Sequence, residues 1–223
     1  MNHIILSQID EAQKRMSGYI ALLNYRFKNL CVKADIAVLL PVSVYADGQE
    51  LNIEDVANVN MPDDYQLGVY PKEENDLQSI IQGIYEAHPE FKMEIKSTDG
   101  SEESKYALYT MPEVDKNRRD FLMNGVKGLK DECLVRIEAV YADYQTRFAK
   151  ILVNVPAQDA AEANKALDKA RRKCKEMVGD LLFKKEQEIE EGYQRYLEEK
   201  EKHQEEEEEM NFSQSFRMYN VEE

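Results

Sequence analysis

The side chains in this sequence best suited to chemistry are bases. Lys116, Arg118, Arg119, Lys127, Lys130, Arg136, Arg147 and Lys150 crowd one stretch. The chemistry they offer is phosphate recognition, because the planar arginine fork pairs two-pronged with phosphate oxygens and stacks on bases. Six acids are interleaved with them between residues 114 and 155. The same stretch therefore also reads as a solvated helical face held by i,i+4 pairs. A denser group, Lys169, Arg171, Arg172, Lys173 and Lys175, spreads around the circumference of a helix. His3, His88 and His203 fit no catalytic or metal-ligating spacing, and no pair of carboxylates stands out as an acid–base couple. No enzyme, cofactor or metal is expected. Cys31, Cys133 and Cys174 lie far apart without a CxxC, which predicts neither a zinc site nor a disulfide framework. Each is expected as a reduced core thiol on an apolar helical face.

The elements that must position these groups follow from periodicity. Ile9, Ala12, Met16, Ile20, Leu23 and Phe27 recur at helical spacing. The period then shortens: strands are expected within 36–45, 51–59, 65–70, 91–96 and 105–110, with a tight turn at Asp47-Gly48. A short helix, LQSIIQGIYEA, is capped by Asn75 or Asp76 and stops before His88-Pro89. A second long helix is expected to open at Pro112 and bury Phe121, Val126, Leu129, Cys133, Ile137, Val140, Tyr144, Phe148 and Ile151. Gly125 and Gly128 mark close packing within it. A third helix begins after Pro156, buries Ala163, Leu167, Ala170, Cys174, Val178 and Leu181, and continues to about Glu209. One amphipathic helix cannot bury its apolar face alone, so the second and third helices are expected to return to the first. The fold class is α+β: a three-helix bundle from 1–34 and 110–204, a small inserted α/β domain with a mixed β-sheet at 35–109, and an acidic C-terminal tail at 205–223. Two crossings, near 33–36 and 108–112, would make a hinge.

Hydrophobic residues are 43% and charged residues 33%, and the net charge of −15 is unevenly placed. Residues 35–109 carry sixteen acids against four bases, and residues 198–223 ten glutamates against three bases. The helical remainder is slightly basic. No stretch approaches the ~20 apolar residues of a membrane span, and the N-terminal residues lack a signal-peptide cleavage pattern. The expected compartment is the cytoplasm, with no membrane partner.

This order of elements, together with local motifs, resembles the ribosome recycling factor family. Val56-Ala57-Asn58-Val59 and Pro62 match its "L-x-x-(V/L)-A-N-(V/I)" and "V-P-(E/D)" stretch. Pro112, Arg118, Arg119 and Leu122 match "P-P-L-T-E-E-R-R-K-x-L", and Arg15-Met16, Arg26-Phe27 and KKEQEI at 184–189 match its first and last helices. The resemblance covers roughly 5–197. It implies a non-enzymatic translation factor that binds ribosomal RNA, acts with a translocase GTPase and promotes subunit separation after termination. On that reading Lys33, Arg118, Arg119, Lys127, Lys130, Arg136 and Arg147 are the candidate RNA contacts.

The departures fall where the family meets RNA. Cys31-Val32-Lys33-Ala34-Asp35 stands where the family reads R-T-G-R-A. In the second helix Val140 and Asp143 survive from V-R-N-x-R-R-D-A-N, but its basic positions are Glu138, Tyr141 and Ala142. Glutamate repels phosphate, and losing several such contacts costs orders of magnitude in affinity at cellular salt. The alternative is a divergent paralogue that has lost the RNA-binding arginines and serves as a protein–protein interaction module. Behind Glu205–Glu209, the residues Phe212, Phe216, Met218 and Tyr219 form a candidate docking peptide for another protein or for self-association.

Overall fold

The computed structural model describes residues 3–46, 48–98, 100 and 105–219, with side chains at 154, 207–209 and 211–219 outside the description. Helix α1 (His3–Lys28) leads into a 3-10 turn at Ile36–Val38, then strands β1 (Ser43–Ala46) and β2 (Gln49–Asn52). A single turn α2 (Ile53–Val56) is followed by β3 (Ala57–Asp63), β4 (Gln66–Pro71), α3 (Leu77–Ala87), β5 (Lys92–Ser97) and β6 (Lys105–Thr110). Two long helices close the chain, α4 (Lys116–Ile151) and α5 (Ala157–Tyr219). The α+β class expected from the pattern is the one found.

Three helices share one hydrophobic core. Its buried residues include Met16, Leu23 and Phe27 of α1, Val126, Ile137 and Tyr144 of α4, and Ala163, Leu167 and Cys174 of α5. On α4 the buried stripe runs Leu122, Val126, Cys133, Ile137, Val140, Tyr144, Phe148. Phe121, expected inside, is 74% exposed; it lies about 100° around the helix from Leu122, which takes the core position. Ile151 is likewise at the exposed edge, and Leu129 is only partly buried. A Cβ at Gly125 or Gly128 would meet nothing within 4 Å, so neither glycine marks close packing. Helix α4 opens at Lys116 and not at Pro112, because Asp115 is its cap and accepts from the Arg118 N–H at 2.7 Å.

A second core gathers Val38, Leu39, Val44, Ile53, Leu67, Ile80, Ile84 and Ala107 between α3 and two sheets. The β1–β2 hairpin pairs Ala46 with Gln49 across a two-residue turn, with Gly48 at φ +75. The larger sheet has the order β3-β4-β6-β5 and every pairing is antiparallel. The expected mixed sheet is therefore corrected: α3 carries the chain across from β4 to a parallel β5, but β6 inserts between them, so no two hydrogen-bonded neighbours are parallel. Helix α3 lies so close to β1 that a Cβ on Gly83 would stand 2.5 Å from the Ser43 carbonyl oxygen. The long run at 36–45 is not one strand but the 3-10 turn plus β1, and 51–59 divides into β2, α2 and the start of β3.

Cys31 departs from its expected helical face. It follows the end of α1 at φ +50, a backbone region uncommon outside glycine, and its side chain enters the sheet-domain core. Burial pushes its thiol pKa up to about 12. Cys133 and Cys174 are buried and free, both in the bundle core. Helix α5 continues beyond Glu209 to Tyr219 and, at 63 residues, extends about 95 Å. The side chains of Phe212, Phe216, Met218 and Tyr219, and with them the docking expectation, lie outside the described residues. No described helix is long and apolar enough to cross a membrane.

Candidate nucleic-acid interface

Two flanks of α4 carry the charged residues singled out in the sequence. Toward α1, Arg15 Nη1 meets Asp143 Oδ2 at 3.1 Å and Arg26 Nη1 meets Glu132 Oε2 at 2.6 Å. Arg15 and Arg26 are eleven residues apart, as are Glu132 and Asp143, so antiparallel helices bring both pairs into register over about three turns. Arg136 donates to Glu132 at 2.9 Å and Arg147 to Asp143 at 3.1 Å. The guanidinium of Arg136 lies over the Tyr19 ring, and those of Arg15 and Arg147 over the Tyr144 ring. The result is a strip of four arginines and two carboxylates, with all six side chains 41–48% exposed. Hydrogen bonds from Arg26 and Arg136 hold the Glu132 carboxyl below its usual range. Each carboxylate orients two guanidinium groups and leaves part of every fork open to solvent. Such a strip can take phosphate oxygens.

Toward α5, α4 again supplies the carboxylate but no base of its own to the pairing. Glu138 accepts from Lys175 at 2.8 Å and from Arg171 at 3.2 Å, and the Arg171 guanidinium lies 4.2 Å from the Tyr141 ring centroid. The Lys175 hydrogen bond is the main cause of a lowered Glu138 pKa. Arg171 also reaches Asp168 at 2.6 Å, and Arg172 pairs with the same carboxylate. The basic group at 169–175 is thus partly neutralised, while Lys169 and Lys173 stay exposed. Two positions where the resemblance expects bases, 138 and 141, instead hold basic side chains of the neighbouring helix.

Among the other expected contacts, Lys127 is exposed and Lys130 pairs with Asp131 at 2.7 Å. Lys33, Arg118 and Arg119 are gathered at the junction between the two cores. Lys33 donates through its backbone to Glu188 at 3.2 Å and through Nζ to Glu191 at 2.8 Å. Arg118 reaches the Leu30 carbonyl at 3.3 Å, just past the end of α1, and Arg119 pairs with Glu190 at 2.7 Å. Buried Lys185 joins them through Glu188 at 2.7 Å. Beyond it, the Arg195 guanidinium stacks 3.8 Å from the Tyr65 ring centroid. A Cβ on Gly192 would meet Val114 at 3.0 Å and Val32 at 3.3 Å. The α5 helix therefore braces the sheet domain directly. Arg15 and Arg26 escaped the candidate set, although their eleven-residue spacing, repeated by Arg136 and Arg147, was the signal that could have found them.

The profile of the ribosome recycling factor family matches residues 25–189. Ribosome-recycling factors of Flavobacterium psychrophilum and Clostridium novyi are 26% and 22% identical over 81% of this chain and 94% and 96% of their own lengths. The solution structure of the ribosome recycling factor superposes with a TM-score of 0.67 at 18% identity, covering 86% of this chain and all of the other. A second similar structure is the T. thermophilus ribosome recycling factor, from models of it and the E. coli elongation factor G bound to the E. coli post-termination complex. It has a TM-score of 0.56 at 21% identity, over 83% of this chain and 98% of its own. With the profile spanning most of its length, the chain belongs to the ribosome recycling factor family.

Proposed function

We propose that this chain is a non-enzymatic translation factor of the recycling type, which binds the ribosome and favours separated subunits after termination. The observation that carries this reading is the α1–α4 strip, where Arg15, Arg26, Arg136 and Arg147 outnumber their two carboxylates and stay half exposed. RNA phosphates would compete for the open faces of these guanidinium groups. The bundle, 1–34 with 110–204, acts as the wedge, and residues 35–109 as the body that a translocase GTPase moves. Because α5 braces that body through the Arg195–Tyr65 stack, its swing is smaller than two bare crossings would allow. The protein works in the cytoplasm, where ribosomes are.

The test is co-sedimentation with ribosomes across a salt series, followed by subunit separation monitored by light scattering with and without the translocase GTPase. Binding that weakens steeply with salt, and separation that needs the GTPase, support the reading. Absence of ribosome binding even at low salt overturns it. That result would favour the divergent, protein-binding paralogue, for which Glu138 at a position expected to be basic is the specific support. The occupant of the 205–223 segment, another protein or a second copy, would then be the first partner to seek.

A further inference from the structure

Cys31 and His88 are 57 residues apart in the chain, yet the fold places the Cys31 thiol, an imidazole nitrogen of His88 and a carboxylate oxygen of Glu90 within 4.8 Å of one another. We propose that Cys31, His88 and Glu90 form a binding site for one zinc-like divalent cation, with water completing a tetrahedron. One sulfur, one imidazole and one carboxylate suit zinc, whereas magnesium and calcium select all-oxygen sets.

The geometry around each donor supports this. Donors on one tetrahedral zinc stand roughly 3.3–3.8 Å apart, and His88 Nδ1 already lies 3.3 Å from Glu90 Oε1. The other ring nitrogen, Nε2, lies 3.3 Å from the Val38 carbonyl, which can only accept; with the proton on Nε2, the neutral ring offers its Nδ1 lone pair on the Glu90 side. A backbone carbonyl on the second nitrogen is the arrangement that orients ligating histidines. The imidazole plane is held by stacking on Phe91, with centroids 4.7 Å apart and planes 5° from parallel. Pro89 puts His88 and Glu90 two residues apart in the turn after α3. Cys31 is presented by an uncommon backbone conformation, φ +50, at the first crossing between the two cores. The thiol is buried, the His88 side chain is 12% exposed and Glu90 36% exposed, so the cluster opens to solvent on the carboxylate side. An ion there would tie the crossing after α1 to the end of α3 and stiffen one side of the hinge.

The experiment uses the full chain, stripped with a chelator and titrated with Co2+ and then Zn2+. One equivalent of Co2+ is expected to give a thiolate-to-cobalt charge-transfer band with tetrahedral visible bands, both displaced by Zn2+. Cys31→Ser and His88→Gln should abolish the band, and Glu90→Gln should weaken binding at least tenfold. Cys133→Ser and Cys174→Ser should leave it unchanged. Circular dichroism of each variant separates loss of the site from loss of the fold, and Glu90→Gln, at the exposed edge, serves as the variant least able to unfold the protein. No thiolate band in the folded natural chain overturns the proposal. So does a band that survives Cys31→Ser, a band lost in Cys133→Ser, or binding unchanged by Glu90→Gln.

Discussion

Along its α1 flank, α4 supplies two carboxylates and two arginines to a partner that supplies two more arginines; along its α5 flank it supplies Glu138 and Tyr141 to a partner that supplies Arg171 and Lys175. The first flank has cationic charge left over for an external anion. In the second, Glu138 and Asp168 already accept from the neighbouring bases. Two flanks of one helix thus present different charge balances to solvent. The difference shows that counting bases along a helix says little until their partners are known. Four guanidinium groups share two carboxylates on the α1 flank, whereas on the α5 flank three bases share two carboxylates and Arg171, which bonds to both, is only 27% exposed.

The comparison breaks most clearly through the α1 flank. Arg15→Glu combined with Arg136→Glu should lower ribosome affinity roughly 100-fold at moderate salt and flatten the salt dependence by about one log unit per lost contact. The melting temperature should barely change, because half-exposed pairs stabilise little. Affinity equal to that of the natural chain in co-sedimentation would show that the strip does not meet RNA. A smaller effect, of opposite sign, sharpens the contrast. Glu138→Gln releases Lys175 and Arg171 and should tighten ribosome binding up to about tenfold. No change would mean that the α5 flank faces away from RNA.

Smaller still is the energy of the α5 seam itself. A double-mutant cycle with Glu138→Gln and Arg171→Gln, read by chemical denaturation, should give a coupling of about 0.5 kcal/mol, since both groups keep solvent contact. The final expectation is a pH effect. Glu138 has a folded-state pKa below its unfolded value, chiefly through the Lys175 hydrogen bond. Its contribution is fully present above roughly pH 4.3 and is lost as pH falls through the lower folded value. Stability of Glu138→Gln should therefore fall less steeply over that acid range, as followed by melting temperature against pH.

Much of this molecule is a local property of its sequence. The 3.6-residue stripe of α1, the bounds of α3 and the β5 and β6 strands follow from apolar spacing and from Pro89 and the turn residues, because periodicity needs no knowledge of the partner. The order of elements likewise implied a bundle with an insertion. What tertiary structure alone decided is which side chains face one another. Phe121 and Leu122 are equally apolar, and only the direction of the core chose Leu122. The approach of α5 pairs Lys33 and Arg119 with Glu191 and Glu190, while the end of α1 brings the Leu30 carbonyl to Arg118. Cys31, His88 and Glu90 meet only because two crossings fold the end of α1 against the turn after α3. The physical reason is common to all three: charge pairing and ligand geometry act over a few ångströms between segments far apart in the chain, and interhelical register and turn placement set those distances.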